Sequence, residues 1–339
     1  MERRRDGRQA GPDERGVTMS AATRVAGPGA QARPRSRNRT LRRSWPMYVA
    51  VAPFFILFAA FGLYPTVYSL VLSFQKWNGL GDPEWIGLEN YQRLFTDPTF
   101  YLSIRNTLVM FVLSTVPMLI LALVVAAMLN SAVRFSTVFR VAYFIPNITS
   151  VVAMAILFGS IFGKNFGLAN QLIQFLGGSA IPWLTTPFGI QVTVSLLITY
   201  QWTGYNAIIF LAGMQAIDPE VYEAATLDGA GPVRSFFSIT LPLLRPTILF
   251  VLVTSTITGL QSFTEAQVLT SSASTTNPNS GGAGQGGLTM VLYFYQQAFG
   301  YNRFGYGAAI AWGVFLIVVI FTIISWRLSS EKPQAKARA

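Results

Sequence analysis

The sequence contains no cysteine and no histidine. That removes Ser-His-Asp and Cys-His nucleophilic catalysis, Cys/His zinc sites and every disulfide. Charge is scarce: charged residues make up 12 % of 339, about half the share usual in soluble domains. There is no G-x-x-x-x-G-K-[ST] stretch, because Gly163-Lys164 is followed by Asn165 and lacks the first glycine. The chain therefore cannot cradle ATP by a P-loop. Gly282 to Gly287 matches G-x-G-x-x-G formally, but no strand precedes it and no helix opens on its last glycine, so a dinucleotide site is not supported. What abounds is apolar: 52 % hydrophobic residues and a mean hydropathy of +0.44.

The formal charge of +11 is lopsided. Residues 1–46 hold twelve arginines against Glu2, Asp6, Asp13 and Glu14, a net +8, and the rest is nearly neutral. A nucleic-acid binder needs its basic surface on the folded part, so no nucleic-acid partner is expected. Residues 1–45 read as a disordered Arg-rich cytoplasmic tail. The charged region is too long for a signal peptide, and no small-residue cleavage site ends the apolar run after it.

A bilayer-spanning helix needs about 20 predominantly apolar residues. Six stretches qualify: about Met47–Phe74, Thr107–Asn130, Val141–Gly163, Ile190–Ala216, Pro246–Thr270 and Phe304–Trp326. None alternates as a barrel strand does, so the fold class is an all-α membrane protein with six transmembrane helices. Lysine and arginine bias sets the orientation. With both termini inside, twenty cations lie on inner segments, and only Lys76, Arg93, Arg105, Lys164 and Arg303 lie outside. The transmembrane body is expected over residues 46–328, and residues 329–339 are expected to form a second cytoplasmic tail. Short surface helices are expected at Leu88–Phe95 and Leu168–Leu176. The Ser/Thr/Asn/Gly-rich stretch Ser271–Gly287 is expected to be mobile.

The inner segment 217–245 is much longer than a hairpin needs. Asp218-Pro219-Glu220 opens a helix, with aspartate capping and proline in the first turn. Gly229, Gly231 and Pro232 stop it, and a second short helix over Val233–Thr240 can follow. On these features alone the segment could equally be a plain amphipathic linker.

The spacing of Glu223, Ala224, Ala225, Gly229, Ile239, Leu241 and Pro242 resembles the signature loop of permease subunits of binding-protein-dependent ABC importers. Gly87-Leu88-Glu89-Asn90-Tyr91 with Asn106-Thr107, Phe144-Ile145-Pro146, Gly167-Leu168-Ala169-Asn170 and Tyr293–Phe299 resemble the maltose-type and glycerol-phosphate-type branch. The resemblance implies a type I importer permease in a bacterial plasma (inner) membrane. It implies a second homologous permease, a dimeric ATPase subunit that binds ATP and Mg, and an extracytoplasmic sugar-binding protein. This chain itself would need no cofactor or metal and do no catalysis. The first short helix would be the coupling helix, so Glu223, Ala224, Ala225, Asp228 and Gly229 are expected to transmit motion from the ATPase.

Polar residues within spans are costly and often functional. The fifth span carries Thr254, Ser255, Thr256, Thr258, Gln261, Ser262, Thr264, Glu265 and Gln267. The fourth carries Thr199, Gln201, Thr203, Tyr205 and Asn206. Some of these can be mere helix-packing groups. A sugar wants hydroxyl and amide partners and an aromatic face, which Trp202, Tyr205, Ser255, Thr258, Gln261 and Ser262 supply. Alignment with the maltose-type permease places substrate contacts near Tyr205, Ser255, Thr258, Gly259 and Ser262, and only Tyr205 and Ser255 keep the family residue type. Glu265 faces either a watery cavity or the outer mouth. The expected function is alternating-access import of a carbohydrate. The alternatives are glycerol-phosphate import, which would favour Arg or Lys in the cavity, and an ion-driven secondary transporter.

Overall fold

The computed structural model describes residues 37–130, 136–164, 166–273 and 280–329. Most of the Arg-rich tail, Arg134, the middle of the Ser/Thr-rich stretch and the C-terminal tail lie outside the described residues. α1 (Arg37–Phe58) falls in one compact unit, and the chain from Ala60 onward forms another. Arg37–Trp45, expected as disordered tail, are helical. Arginine and leucine are good helix formers, and the helix propagates outward from the apolar stretch that follows.

The second unit contains α2 (Tyr64–Leu72), a hairpin of β1 (Gln75–Lys76) with β2 (Glu84–Trp85), α3 (Glu89–Thr96) and α4 (Pro98–Asn130). Then come α5 (Ser136–Ile148), α6 (Val151–Ile161), α7 (Leu168–Phe175) and α8 (Pro187–Gln215). The inner segment forms α9 (Pro219–Leu227), α10 (Pro232–Ser235) and α11 (Leu241–Leu243). The remainder is α12 (Arg245–Leu260), α13 (Thr264–Ala273), α14 (Met290–Tyr295) and α15 (Phe304–Ser329).

Among the described residues, three helical stretches are long and apolar enough to cross a bilayer: Tyr48–Leu72, Pro98–Asn130 and Phe304–Arg327. Two expected spans are broken. Val141–Gly163 is not one helix: α5 and α6 meet at 94°. Ser150 leaves the helical region (ψ 126°), and the Thr149 hydroxyl takes the Ile145 carbonyl at 2.8 Å, the competition by which short polar side chains disrupt helices. Pro246–Thr270 is not continuous either. α12 stops at Leu260, the N–H groups of Gln261 and Ser262 tighten onto Thr258 and Gly259, and α13 restarts at Thr264.

α8 has 29 residues but is too polar to qualify as a span by composition. Its polar residues serve helix packing. The Gln191 amide donates to Asn106 Oδ1 (3.0 Å), Ser195 Oγ to the Met110 carbonyl (3.2 Å), Thr199 Oγ1 to the Ser114 carbonyl (3.1 Å), and Asn206 Nδ2 to Met118 Sδ (3.3 Å). Residue numbers rise together on both helices, so α4 and α8 run parallel. Small side chains permit this close approach. Further along, Ala122, Ala126, Ala207, Phe210 and Met214 bury one another. A Cβ at Gly204 would run into the Tyr143 carbonyl, so α5 crosses α8 at a point only glycine allows.

Three asparagines from the family-like motifs are buried staples at one end of the bundle. Asn90 Nδ2 donates to the Ser73 and Gln75 carbonyls (3.0 and 2.9 Å). Asn106 Nδ2 donates to the Gln285 carbonyl (2.7 Å). Asn170 Oδ1 accepts from the Ile181 N–H and the Trp183 indole (2.9 and 3.1 Å). Asp97 ties the α3–α4 corner to α14 and α15 by accepting from the Tyr293 and Tyr306 hydroxyls. Burial alone would raise its carboxyl, but those two bonds and the Thr99 and Phe100 amides hold it below its ordinary value.

The stretch expected to be mobile is partly fixed. Residues 274–279 lie outside the described residues, α13 runs to Ala273, and residues 280–287 pack on the start of α8. Gly281, Gly282 and Gly284 adopt positive φ, and a Cβ at Gly286 would collide with Pro187, so the glycines serve a tight fold-back.

Candidate functional site: a mid-helix cavity and the loop 217–245

Halfway along α4 and α8 a cavity of about 240 Å³ opens beside the break between α12 and α13. It gathers Trp202 and Tyr205 from α8, Ser255, Thr258 and Gly259 from α12, and Ser262 from the break. Six of the seven residues expected to contact substrate therefore share one space. Gln261 does not: it lines a separate depression with Phe294 and Phe315. It sits one residue before Ser262, and adjacent residues of a helix do not share a face.

The lining is amphipathic. The Trp202 and Tyr205 rings meet edge to face, with centroids 5.7 Å apart. Thr254 and Thr258 donate their hydroxyl protons to their own helix, to Phe250 and Thr254 carbonyls at 2.9 and 3.1 Å, which leaves oxygen lone pairs as acceptors. Gly259 lets α12 approach α4, since a Cβ there would lie 2.9 Å from the Phe111 ring. Glu265, in the first turn of α13, lines this cavity, and Ser262 Oγ donates to its Oε2 at 3.2 Å. That resolves its two candidate placements in favour of the cavity. Sequence reasoning did not single out Thr115, Met118 and Ile198, which also line it. They are ordinary span residues, and only the α4–α8 register brings them here.

The second candidate region is built locally. Asp218 Oδ1 accepts the Glu220 N–H at 3.0 Å and Pro219 takes the first turn of α9. The helix ends in a Schellman motif: the Ala230 N–H reaches the Ala225 carbonyl (2.9 Å) and Gly229 reaches Thr226 (3.1 Å), with Gly229 at φ +76°. Gly231 and Pro232 start α10, which continues through a π-helical turn, Phe236–Thr240, rather than as a regular helix to Thr240. Tyr222 and Thr240 hydroxyls meet at 3.1 Å, and Ala225 is buried. Glu223, Ala224, Asp228 and Gly229 are exposed. Leu227 is 89 % and Val233 71 % exposed, so the tip presents apolar side chains outward.

Long apolar helices, a mid-length cavity with an amphipathic lining and a capped helix–turn loop fit a membrane translocation subunit. Residues 108–329 match the family described as "Binding-protein-dependent transport system inner membrane component". The chain belongs to that family: it is a multi-pass permease component of an ABC importer and not itself an enzyme. It is 37 % identical over 289 residues to the lactose transport system permease protein LacF of Rhizobium radiobacter, covering 84 % of this chain and 94 % of the relative. It is 38 % identical over 286 residues to the arabinooligosaccharides transport system permease protein AraP of Bacillus subtilis, covering 84 % and 88 %. A chain of a bacterial ABC transporter involved in the import of the acidic polysaccharide alginate shares the fold, with TM-score 0.73, 22 % identity, and 86 % and 97 % coverage.

Proposed function

We propose that this chain is one half of the translocation pore of a bacterial carbohydrate importer, and that the mid-span cavity is its sugar site. The observation that carries this reading is the cavity itself. An aromatic pair, hydroxyl acceptors and a carboxylate converge halfway along two long helices, beside a helix break. Discontinuous helices at mid-depth are where transporters place substrates. The lactose and arabinooligosaccharide relatives support the substrate class. No arginine or lysine lines the cavity, which speaks against glycerol phosphate.

The working topology has six spans with both termini inside: three long apolar helices, the bent pair α5–α6, the interrupted α12–α13, and α8. At about 1.5 Å per residue α8 is some 43 Å long, ample for a bilayer core of about 30 Å. The parallel course of α4 and α8 supports it, since two spans separated by one return crossing must run the same way. In this reading α9 docks on a separate ATPase subunit through its exposed Glu223 face and apolar tip. A second homologous permease completes the pore, and an extracytoplasmic binding protein delivers the sugar.

The test is affinity purification of the tagged chain from mild-detergent membranes with mass spectrometry of what accompanies it. A P-loop ATPase and a second permease should co-purify, and the associated binding protein should take up a sugar in a ligand screen. A homo-oligomer competent for ion-driven uptake in liposomes would overturn the proposal.

A further inference from the structure

Glu265 is the one charged residue lining the mid-span cavity among the described residues. Among the described residues it makes a single side-chain hydrogen bond: Ser262 Oγ donates to Oε2 at 3.2 Å. The charge is costly at such depth, so its retention calls for a role. The rest of the lining is hydroxyl, amide, thioether, aromatic and aliphatic.

We infer that Glu265 makes the cavity a charge filter, accepting neutral carbohydrates and rejecting anionic ones. The inference rests on the carbohydrate reading above. A neutral sugar donates hydroxyl protons to the carboxylate, a charge-assisted bond of the stronger kind. A uronate or sugar phosphate brings a second negative charge into a space too small to separate the two and without a cation to offset them. Two like charges about 5 Å apart in a partly screened protein environment discriminate on the order of 100-fold. Specificity here comes from repulsion of the wrong substrate as much as from attraction of the right one.

The experiment uses the importer as co-purified, in lipid nanodiscs and without nucleotide. Matched pairs are titrated: galactobiose against digalacturonate, and cellobiose against cellobiouronate, with neutral tri- and tetrasaccharides alongside. Binding is followed by quenching of tryptophan fluorescence that disappears in Trp202→Phe. The wild type should bind the neutral member at least tenfold more tightly than its acid. That ratio should fall to within about threefold in Glu265→Gln and return in Glu265→Asp. Equal wild-type affinities, or a ratio unchanged in Glu265→Gln, would overturn the filter and leave the carbohydrate reading standing. The wild-type ratio is informative even if a variant fails to fold. Absence of any Trp202-dependent response across the neutral saccharides would overturn the carbohydrate reading and the filter with it.

Discussion

In the loop over residues 217–245, most hydrogen-bond partners are close neighbours in sequence. Asp218 caps two residues ahead, Ala230 closes onto Ala225, and the longest tie, Tyr222 to Thr240, spans 18 residues. The mid-span cavity joins Thr115 to Glu265 across 150 positions and depends on α4, α8, α12 and α13 keeping their mutual register. The loop's hydrogen bonds are therefore local, and although Ile217 and Phe236 pack on the α4–α8 core, its exposed face can change without disturbing the fold. The cavity has no such independence, because its walls are also the bundle's packing surfaces.

The largest effect is expected where a single atom separates two helices. Gly204→Ala places a methyl on the Tyr143 carbonyl, so α5 must withdraw from α8. Overpacking of this kind costs about 1–3 kcal/mol or more. A clear fall in Tm of the detergent-purified chain and a low yield of folded protein are expected, and a wild-type Tm would show that the crossing is looser than described. In the loop the outcome should be opposite in kind. Glu223→Ala should cut sugar uptake and substrate-stimulated ATPase at least tenfold with no change in Tm, since the side chain is exposed and does not cap the helix. Wild-type uptake would remove the loop from the coupling role.

The smallest effect concerns Asp97, which belongs to neither region. Its carboxyl titrates below the ordinary 3.8 in the folded state. The stabilisation it provides is present above that unfolded value and is lost as pH falls through the folded one. Tm should drop on acidification from pH 5 to pH 3, and Asp97→Asn should flatten that slope while lowering Tm modestly at pH 7. An identical acid profile in the variant would show that other carboxylates govern it.

The loop was legible because its determinants are residue types at short spacing. Asp and Pro start α9, Gly229 ends it in a left-handed turn, and Gly231-Pro232 starts α10. The π-helical turn over Phe236–Thr240 has no such local signature. In the cavity, hydroxyl and aromatic content was visible along the chain, but not which residues share a face. Gln261 and Ser262 are adjacent in sequence yet line different spaces, because neighbours along a helix point to different faces. Glu265 was recognised as anomalous, yet its placement depended on the break between α12 and α13. Gly204 looks like any glycine in a span until Tyr143 is found against it.

By itself the sequence determined that this is a predominantly helical membrane protein, where its apolar stretches lie, and that residues 217–245 form a capped helix–turn–helix, while the short β1–β2 hairpin was not foreseen. Those properties follow from hydropathy and from hydrogen bonds made within a few residues. The tertiary structure decided that α8's polar residues serve as a seam along α4, that two spans are broken, and that one carboxylate enters the cavity. Each depends on contacts between residues tens to hundreds of positions apart, and in the bilayer's low dielectric such contacts decide which polar groups find partners.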